Sequence, residues 1–251
     1  MSTGQVIHLE SVDSTNEYLK RRGALLPDGT VVVADHQTAG KGRLGRSWQD
    51  APGQSLLASW LLKSLQGDAL LLLPLAAGMA VLDALDSLGA QGAALKWPND
   101  IVAQRDGRCC KLAGILCEHR VGQQSFSVCG IGVNLLQPQE VFDGRGLPDA
   151  GSVLGVLGAS LKREELLRAI GQSLQKRRAQ AAAEPQALLQ DVSARCITLC
   201  RTVKIKTEAG EYTAFAVRLD RDGQLICQSE EGEEIKVRAG EVSVRGLNGY
   251  L

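Results

Sequence analysis

A loop at residues 40–48 is the sequence feature that most constrains the fold. Its nine residues contain three glycines, three cationic side chains and a tryptophan, and it follows an apolar, β-branched run at residues 30–34. Glycines let the backbone come close to a ligand, and cations attract an anion. A solvated surface loop is the alternative, but ordinary turn chemistry does not require cations between glycines. The loop therefore predicts a binding element for an anionic ligand.

The same loop nearly matches two phosphate-binding motifs. Its glycines spell G-x-G-x-x-G, and residues 40–47 differ from a P-loop at one position. Both motifs require a helix to begin at once. Residues 48–54 contain a Pro-Gly break and lead into a predicted strand at 55–62, which leaves no room for such a helix. We therefore expect a mobile loop that joins two strands and closes over its ligand, rather than a dinucleotide-binding or P-loop fold.

The composition is that of an ordinary soluble globular protein. Of its 251 residues, 44% are hydrophobic and 22% charged, enough for one large and one small domain. The 28 Lys and Arg balance the 28 Asp and Glu, so no overall field favours nucleic acid or an anionic membrane. We therefore expect no nucleic-acid partner. Any cluster of cations would attract an anion only in its immediate surroundings.

Cysteine usage and hydropathy point to the cytoplasm. Seven cysteines without a C-x-x-C pair indicate neither a disulfide framework nor a zinc site. The longest apolar run, at residues 69–82, contains Pro74 and Gly78 and is too short to cross a bilayer. Glu10 and Asp13 interrupt any signal peptide. We expect a cytoplasmic protein with reduced thiols and no membrane partner.

Hydrophobic periodicity divides the chain into two predicted domains. Residues 1–193 are expected to mix helices with strands, and residues 194–251 to form a small all-β domain of barrel type. Helices are predicted at 14–23, 68–88, 160–178 and 185–191. Strands of the large domain are predicted at 6–9, 30–34, 55–62, 111–118 and 126–135, with a further strand ending at residue 96 and a hairpin turn at 105–108. Strands of the small domain are predicted at 201–207, 211–219, 224–228, 234–237 and 241–244.

The start of the first helix allows two interpretations. Ser14 and Glu17 have the spacing of a capping box, so the polar residues there could simply cap the helix. Thr15 and Asn16 could instead direct hydrogen-bond donors and acceptors sideways at a ligand. Both interpretations stay open from the sequence.

Two lysines and three glycines are also unusual in their positions. Lys96 ends a strand just before a turn that Pro98 forces at Asn99 and Asp100, and Lys111 begins an otherwise apolar strand. Each is compatible with an ordinary turn or surface residue as well as with a binding site. Glycines inside strands suggest that a ligand or another backbone lies against the sheet; they are Gly114, Gly130 and Gly132.

Six motifs in order resemble those of the biotin protein ligase family, and they span nearly the whole chain. They lie at residues 14–16, 37–48, 96–100, 111–116, 130–135 and 240–245. The family's loop usually reads Gly-Arg-Gly-Arg-Arg-Gly-Arg, whereas Lys41 and Leu44 replace two arginines here. Lys41 keeps the positive charge but loses the bidentate fork of arginine.

The resemblance implies a fold and an activity. The fold would be α+β, with a mixed sheet and flanking helices of the class II aminoacyl-tRNA synthetase type and a small C-terminal SH3-like β-barrel. The activity would join biotin to ATP with Mg²⁺, giving biotinyl-5'-AMP, and then transfer biotin to a lysine of a biotin carboxyl carrier protein of acetyl-CoA carboxylase or a related carboxylase. The chain resembles the ligase-only form, without an N-terminal DNA-binding domain. A homodimer is left open.

The resemblance also implies roles for individual residues. Arg43 and Lys111 would be the catalytic cations where the biotin carboxylate meets the α-phosphate. The expected biotin-binding residues are Ser14, Thr15, Asn16, Gln37, Lys41, Gly42, Arg43, Lys111, Gly114 and Gly130. The expected nucleotide-binding residues are Arg43, Arg46, Trp48, Lys96, Asn99, Asn134 and Arg245, with Trp48 stacked on adenine. Gly114, Gly130 and Gly132 would leave space for the bicyclic ring of biotin. The resemblance does not identify the metal ligands, and Asp100 is the one candidate.

Two other functions compete with this hypothesis. A lipoate or octanoate transferase of the same superfamily would share the fold but bind an acyl chain. A protein that holds biotin or an adenylate without turnover would show no pyrophosphate exchange.

Overall fold

The computed structural model describes residues 4–63, 65, 67–207, 210–239, 243–246 and 250. The strands of its larger sheet are β1 (Val6–Val12), β2 (Val31–Gln37), β3 (Ser55–Leu62), β4 (Ala93–Lys96), β5 (Asp100–Arg105), β6 (Arg108–Arg120) and β7 (Phe126–Asn134). Their order across the sheet is β1-β2-β3-β7-β6-β5-β4. Strands β1 and β2 are parallel, and every other neighbouring pair is antiparallel.

The described helices are α1 (Thr15–Arg22), α2 (Asp68–Leu71), α3 (Leu73–Ser87), α4 (Gln139–Asp143), α5 (Val153–Leu157), α6 (Arg163–Ala183) and α7 (Pro185–Arg195). Strand β3 is buried along its whole length because both faces of the sheet are covered. Helices α3 and α6 pack on one face and enclose the main apolar core with the sheet. Helix α1 packs on the other face, where a second cluster forms around Leu19, Val32 and Phe126.

Two predictions for the helices need correction. The helix expected at 68–88 is interrupted, because Pro74 lies in the first turn of α3 and favours a new helix start there. The capping box, one of the two interpretations of the start of α1, is not formed either. Ser14 has the extended N-cap backbone, but its side chain makes no cap bond. The carboxylate of Glu17 turns instead to two lysines, Lys20 and Lys41.

A smaller antiparallel sheet follows α7. Its strands are β8 (Arg201–Thr207), β9 (Gly210–Leu219), β10 (Leu225–Gln228), β11 (Glu234–Val237) and β12 (Ser243–Gly246), in the order β11-β10-β9-β8-β12. The predicted α+β class with a small C-terminal β domain is confirmed. Residues 240–242, which include part of the last predicted strand and motif, lie outside the described residues. The domain boundary at 193 and 194 stays a prediction, and it falls in the last turn of α7.

The two sheets are joined at the turn after β4. The backbone N–H of Trp97 donates to Thr198 Oγ1 at 3.0 Å, and its indole N–H donates to the carbonyl of Gly223 at 2.9 Å. Trp97 is 1% exposed, so both donors are satisfied within the protein. The smaller sheet is thereby held next to the residues that follow Trp97. No helix in the described part of the chain is long and apolar enough to cross a membrane.

Candidate active site

A cavity opens on the α1 face of the large sheet, and both polar side chains and apolar strand residues line it. Strands β2, β3, β6 and β7 form its floor, and the start of α1 and the loop at 40–48 form its walls. The structure brings all ten predicted biotin-binding residues to this cavity: Ser14, Thr15, Asn16, Gln37, Lys41, Gly42, Arg43, Lys111, Gly114 and Gly130.

A second cavity lies between the loop, the turn after β4 and strand β12 of the small domain. Six of the seven predicted nucleotide-binding residues line it: Arg43, Arg46, Trp48, Lys96, Asn99 and Arg245. Asn134 lines neither cavity. It is buried on β7, and its Nδ2 donates to the carbonyl of Gly151 at 3.1 Å, so the structure places it behind the site rather than in its wall.

The two cavities meet at a shared wall. The residues common to both are Gly42, Arg43, Trp48, Asn99 and Lys111. This wall therefore contains both predicted catalytic cations, Arg43 and Lys111. The loop supplies the first cation and strand β6 the second.

Arg43 and Lys111, the two predicted catalytic cations, are each held by a neighbour at residues 99 and 100. One guanidinium nitrogen of Arg43 donates to Asn99 Oδ1 at 2.8 Å, and Asn99 Nδ2 donates to the carbonyl of Ile115 at 2.8 Å. Lys111 Nζ lies 2.7 Å from Asp100 Oδ1. The sequence 96–100 thus acts by orienting the two cations as well as by lining the second cavity.

Burial and charge shift the pKa values of three groups at the wall. Burial lowers the pKa of Arg43 from its usual value. Burial would raise the pKa of Asp100, but the charges of Lys111 and Lys96 hold it below its usual value. Burial lowers the pKa of Lys96 to about 8, although the Asp100 charge opposes this shift. The Lys96 ammonium donates to the carbonyl of Val244 at 2.9 Å.

A hydrogen-bond network around the buried hydroxyl of Ser59 forms the polar end of the first cavity. Gln37 Oε1 accepts from the backbone N–H of Thr15 at 2.8 Å and lies 3.1 Å from its hydroxyl. Ser59 Oγ lies 2.7 Å from Thr15 Oγ1 and 2.6 Å from Asn16 Oδ1. The single hydroxyl proton of Ser59 must go to Asn16 Oδ1, which cannot donate. Asn16 Nδ2 donates to the carbonyl of Leu116 at 3.1 Å and to Glu118 Oε2 at 2.8 Å.

The network fixes what Asn16 can offer a ligand. Both of its amide protons are used within the protein, and Oδ1 keeps one lone pair beyond the bond from Ser59. Asn16 therefore presents an acceptor, suited to a ligand N–H group. Neither Ser59 nor Glu118 was among the predicted site residues. Ser59 had a signal, because it is a polar residue in the middle of an apolar strand, whereas Glu118 had none.

The strand glycines have a different role from the one expected. A Cβ at Gly130 would lie 2.1 Å from Asn16 Oδ1, so this glycine makes room for the asparagine. A Cβ at Gly132 would lie 2.7 Å from the Trp48 ring, and one at Gly114 would lie 3.1 Å from it. The space expected for a ligand ring is thus used by two side chains, because the loop and α1 fold down onto the sheet.

The loop is ordered by its own backbone and by an ion pair to α1. Trp48 N donates to the carbonyl of Gly40 at 2.9 Å, which closes the loop at its base, and the backbone turns at Arg43–Gly45, where Leu44 has a φ of 54°. No crossover helix follows the loop, as predicted. Lys41 Nζ lies 2.7 Å from Glu17 Oε1. The charge at position 41 therefore ties the loop to α1 in this conformation.

The carboxylates of the site do not fit a magnesium ion held by the protein. Asp100 is the one Asp or Glu among the described residues that line the two cavities. One of its oxygens faces Lys111, and the other accepts from the hydroxyl of Tyr250. The described residues also contain no group of three or more His, Cys, Asp or Glu that could hold a metal. Asp100 is therefore a partner of cations rather than a metal ligand here.

Comparisons with known proteins agree with this geometry. Residues 8–134 match the model of the biotin/lipoate A/B protein ligase family. The chain belongs to this family. The matched segment runs from β1 to the end of β7, and so includes the loop, the turn after β4, Arg43 and Lys111.

The relatives that cover most of the chain include two named biotin--[acetyl-CoA-carboxylase] ligases. A biotin--[acetyl-CoA-carboxylase] ligase of Mycobacterium tuberculosis is 37% identical over 91% of this chain and 85% of its own length. A ligase of the same name from Paracoccus denitrificans is 31% identical over 95% of this chain and 100% of its own. Among solved structures, the biotin protein ligase of Aquifex aeolicus in complex with biotin and ATP has a TM-score of 0.81 and 30% identity, covering 96% of this chain and 99% of that one.

Proposed function

We propose that this chain is an ATP-dependent ligase that activates biotin as biotinyl-5'-AMP and transfers it to a lysine of a biotin carboxyl carrier protein. The relatives named as biotin ligases support the enzyme class. The observation that carries the mechanism is the position of Arg43 and Lys111 in the wall shared by the two cavities. Biotin occupies the first cavity and ATP the second, so the reacting groups meet beside these cations.

The first step brings two anions together. An oxygen of the biotin carboxylate attacks the α-phosphorus of ATP, and the bond to pyrophosphate breaks. Two unit charges about 4 Å apart repel by roughly 4 kcal/mol at an effective dielectric constant near 20. Arg43 and Lys111 offset this repulsion, and they stabilise the charge that develops on the phosphate oxygens in the transition state.

The polar end of the first cavity selects the ring of biotin. Its ureido N–H groups need acceptors, and Asn16 Oδ1 presents one in a fixed direction because Ser59 and Glu118 hold the amide. An acyl chain without a ureido group would leave these buried polar atoms without a new partner. The geometry therefore favours biotin over lipoate or octanoate.

The loop protects the intermediate from water. Biotinyl-5'-AMP is a mixed anhydride, and hydrolysis would waste it before a carrier arrives. The ion pair between Lys41 and Glu17 ties the loop to α1 beside the first cavity, and this keeps the loop next to the bound intermediate. In the second step the amine of the carrier lysine attacks the acyl carbon and AMP leaves. Proximity accounts for most of this rate, since the acyl group is already activated.

A transfer assay tests the proposed function. The protein is incubated with biotin, ATP, magnesium and a biotin carboxyl carrier domain, and the label should move to one lysine of the carrier. Thermal shift with biotin should exceed the shift with lipoate. Absence of transfer at micromolar enzyme would contradict the proposal, and a larger shift with lipoate would favour the transferase. Binding of biotin without pyrophosphate exchange would favour the binding protein.

The proposal also covers the cellular compartment and the partners of the enzyme. The enzyme works in the cytoplasm on the carrier of acetyl-CoA carboxylase or a related carboxylase, and does not act on nucleic acid, in keeping with equal numbers of cationic and anionic residues. A homodimer is one of the oligomeric states that the proposal allows. Magnesium enters with the ATP phosphates, because the described carboxylates do not form a site for it.

The ion pair between Lys41 and Glu17 should hold the loop against α1, and reversing either charge tests this. The Lys41→Glu variant should release about threefold more biotinyl-5'-AMP into solution than the wild type, because two carboxylates would repel where the loop now meets α1. Glu17→Lys should do the same. The double variant restores an ion pair of reversed polarity and should return the leak toward the wild-type level.

Released adenylate is measured by rapid filtration in the absence of a carrier. The control is Lys162→Glu, which reverses an exposed charge on the far side of the sheet and should not alter the leak. If both single variants leak and the increase in the double variant equals the product of the two single increases, the two residues act independently and the loop is not held by their pairing.

A further inference from the structure

Tyr250, which belongs to the small domain, lines the second cavity, where we place ATP. It lies 150 residues from Asp100 in the sequence, yet its hydroxyl donates to Asp100 Oδ2. Its ring packs with Val102 and Cys109 in a small apolar cluster, and the residue is 8% exposed. The ring of Tyr250 thus packs in apolar surroundings, and its hydroxyl faces Asp100.

The hydroxyl of Tyr250 completes the surroundings of the Asp100 carboxylate. The other oxygen of that carboxylate lies 2.7 Å from Lys111 Nζ. Burial and the nearby Asp100 charge raise the pKa of Tyr250 well above its usual value, so the phenol keeps its proton and donates. Because a carboxylate held at both oxygens cannot rotate freely, the position of the Lys111 ammonium depends on Tyr250.

The ring of Tyr250 also contacts two cations of the nucleotide cavity. Lys96 Nζ lies 4.1 Å from the ring centroid, and the guanidinium carbon of Arg245 lies 4.7 Å from it. Both distances are within the range of cation–π attraction. Lys96 and Arg245 come from different domains and repel each other. The ring between the domains attracts both and so stabilises them near the same cavity.

We propose that Tyr250 is a positioning residue for adenylate formation. It orients Asp100, and through Asp100 the cation Lys111, while its ring holds Lys96 and Arg245 beside the phosphates of ATP. This inference rests on the proposed ligase function. It assigns the small domain a direct part in the first step of the reaction and none in the recognition of the biotin ring.

Two substitutions at position 250 separate the hydroxyl from the ring. Tyr250→Phe keeps the apolar contacts and the ring but removes the donor to Asp100. We expect kcat/KM for ATP in pyrophosphate exchange to fall about tenfold, because a hydrogen bond to a charged group is lost. Tyr250→Ala also removes the ring and should raise the KM for ATP further. Biotin affinity, measured by calorimetry without ATP, should stay at the wild-type value in Tyr250→Phe.

The matched control is Tyr212→Phe, which removes a hydroxyl from an exposed tyrosine on β9 and should leave every rate unchanged. A Tyr250→Phe variant with wild-type kcat/KM for ATP overturns the proposal. A variant that loses biotin affinity and thermal stability together with ATP turnover overturns it as well, since the role would then be structural. A wild-type protein with no biotin-dependent pyrophosphate exchange would instead contradict the proposed function, so the two failures are distinct.

Discussion

Replacing Lys111 with methionine is expected to reduce the rate of adenylate formation by at least about a thousandfold. Methionine has a similar length, so the shape of the shared wall is kept while its central charge is lost. Two effects act in the same direction. The cation no longer offsets the repulsion between carboxylate and phosphate, and the Asp100 carboxylate, 2.7 Å from the lost ammonium, now faces both anions without its partner.

The second effect can be measured separately. In the double variant Lys111→Met with Asp100→Asn the unpaired carboxylate is gone, and we expect part of the rate to return, by roughly tenfold. Single-turnover formation of biotinyl-5'-AMP is the measurement. Lys176→Met, which removes an exposed lysine from α6, is the control and should be fully active. A Lys111→Met rate within tenfold of the wild type would show that Arg43 suffices and that Lys111 is not a catalytic cation.

The residues that the sequence predicts well are those whose local surroundings make them unusual. Lys111 begins an apolar strand, and the cations of the loop alternate with glycines. Such positions are costly for a lysine or arginine unless a ligand or partner is present, so each carries a local signal. The structure places Lys111 and Arg43 together at the wall shared by the two cavities. Their catalytic role stays a proposal.

The residues that the sequence does not predict act through contacts between distant segments. Glu118 reaches Asn16 across 102 positions and Tyr250 reaches Asp100 across 150. Neither has a local pattern that distinguishes it from a surface carboxylate or a core tyrosine. Their importance depends on the order of the strands and on the packing of the small domain, which periodicity alone does not determine.

The strand glycines show an intermediate case. Their presence in β6 and β7 correctly predicts a close approach to the sheet. The sequence does not identify the approaching group, because a glycine indicates only that a side chain would not fit at that position. The structure fills that space with the carboxamide of Asn16 and the indole of Trp48. The glycines therefore shape the cavity indirectly, through the side chains that they admit.

This indirect role predicts a large effect for Gly130→Ala. The new Cβ would lie 2.1 Å from Asn16 Oδ1, well inside the contact distance of carbon and oxygen. The carboxamide cannot turn away at low cost, because it bonds to Ser59, Leu116 and Glu118 at once. Displacing it would break two or three buried hydrogen bonds and remove the acceptor offered to the ureido group. We expect biotin affinity to fall about a hundredfold or more.

Calorimetry with biotin measures this effect, and Gly122→Ala is the matched control, since a Cβ there meets no atom within 4 Å. A further variant separates the steric clash from the loss of the acceptor. Asn16→Ala combined with Gly130→Ala removes the clash and should recover thermal stability relative to Gly130→Ala alone, but not biotin affinity. Recovery of affinity in the double variant would mean that Asn16 only obstructs the pocket. Wild-type affinity in Gly130→Ala would mean that the network around Asn16 does not select biotin.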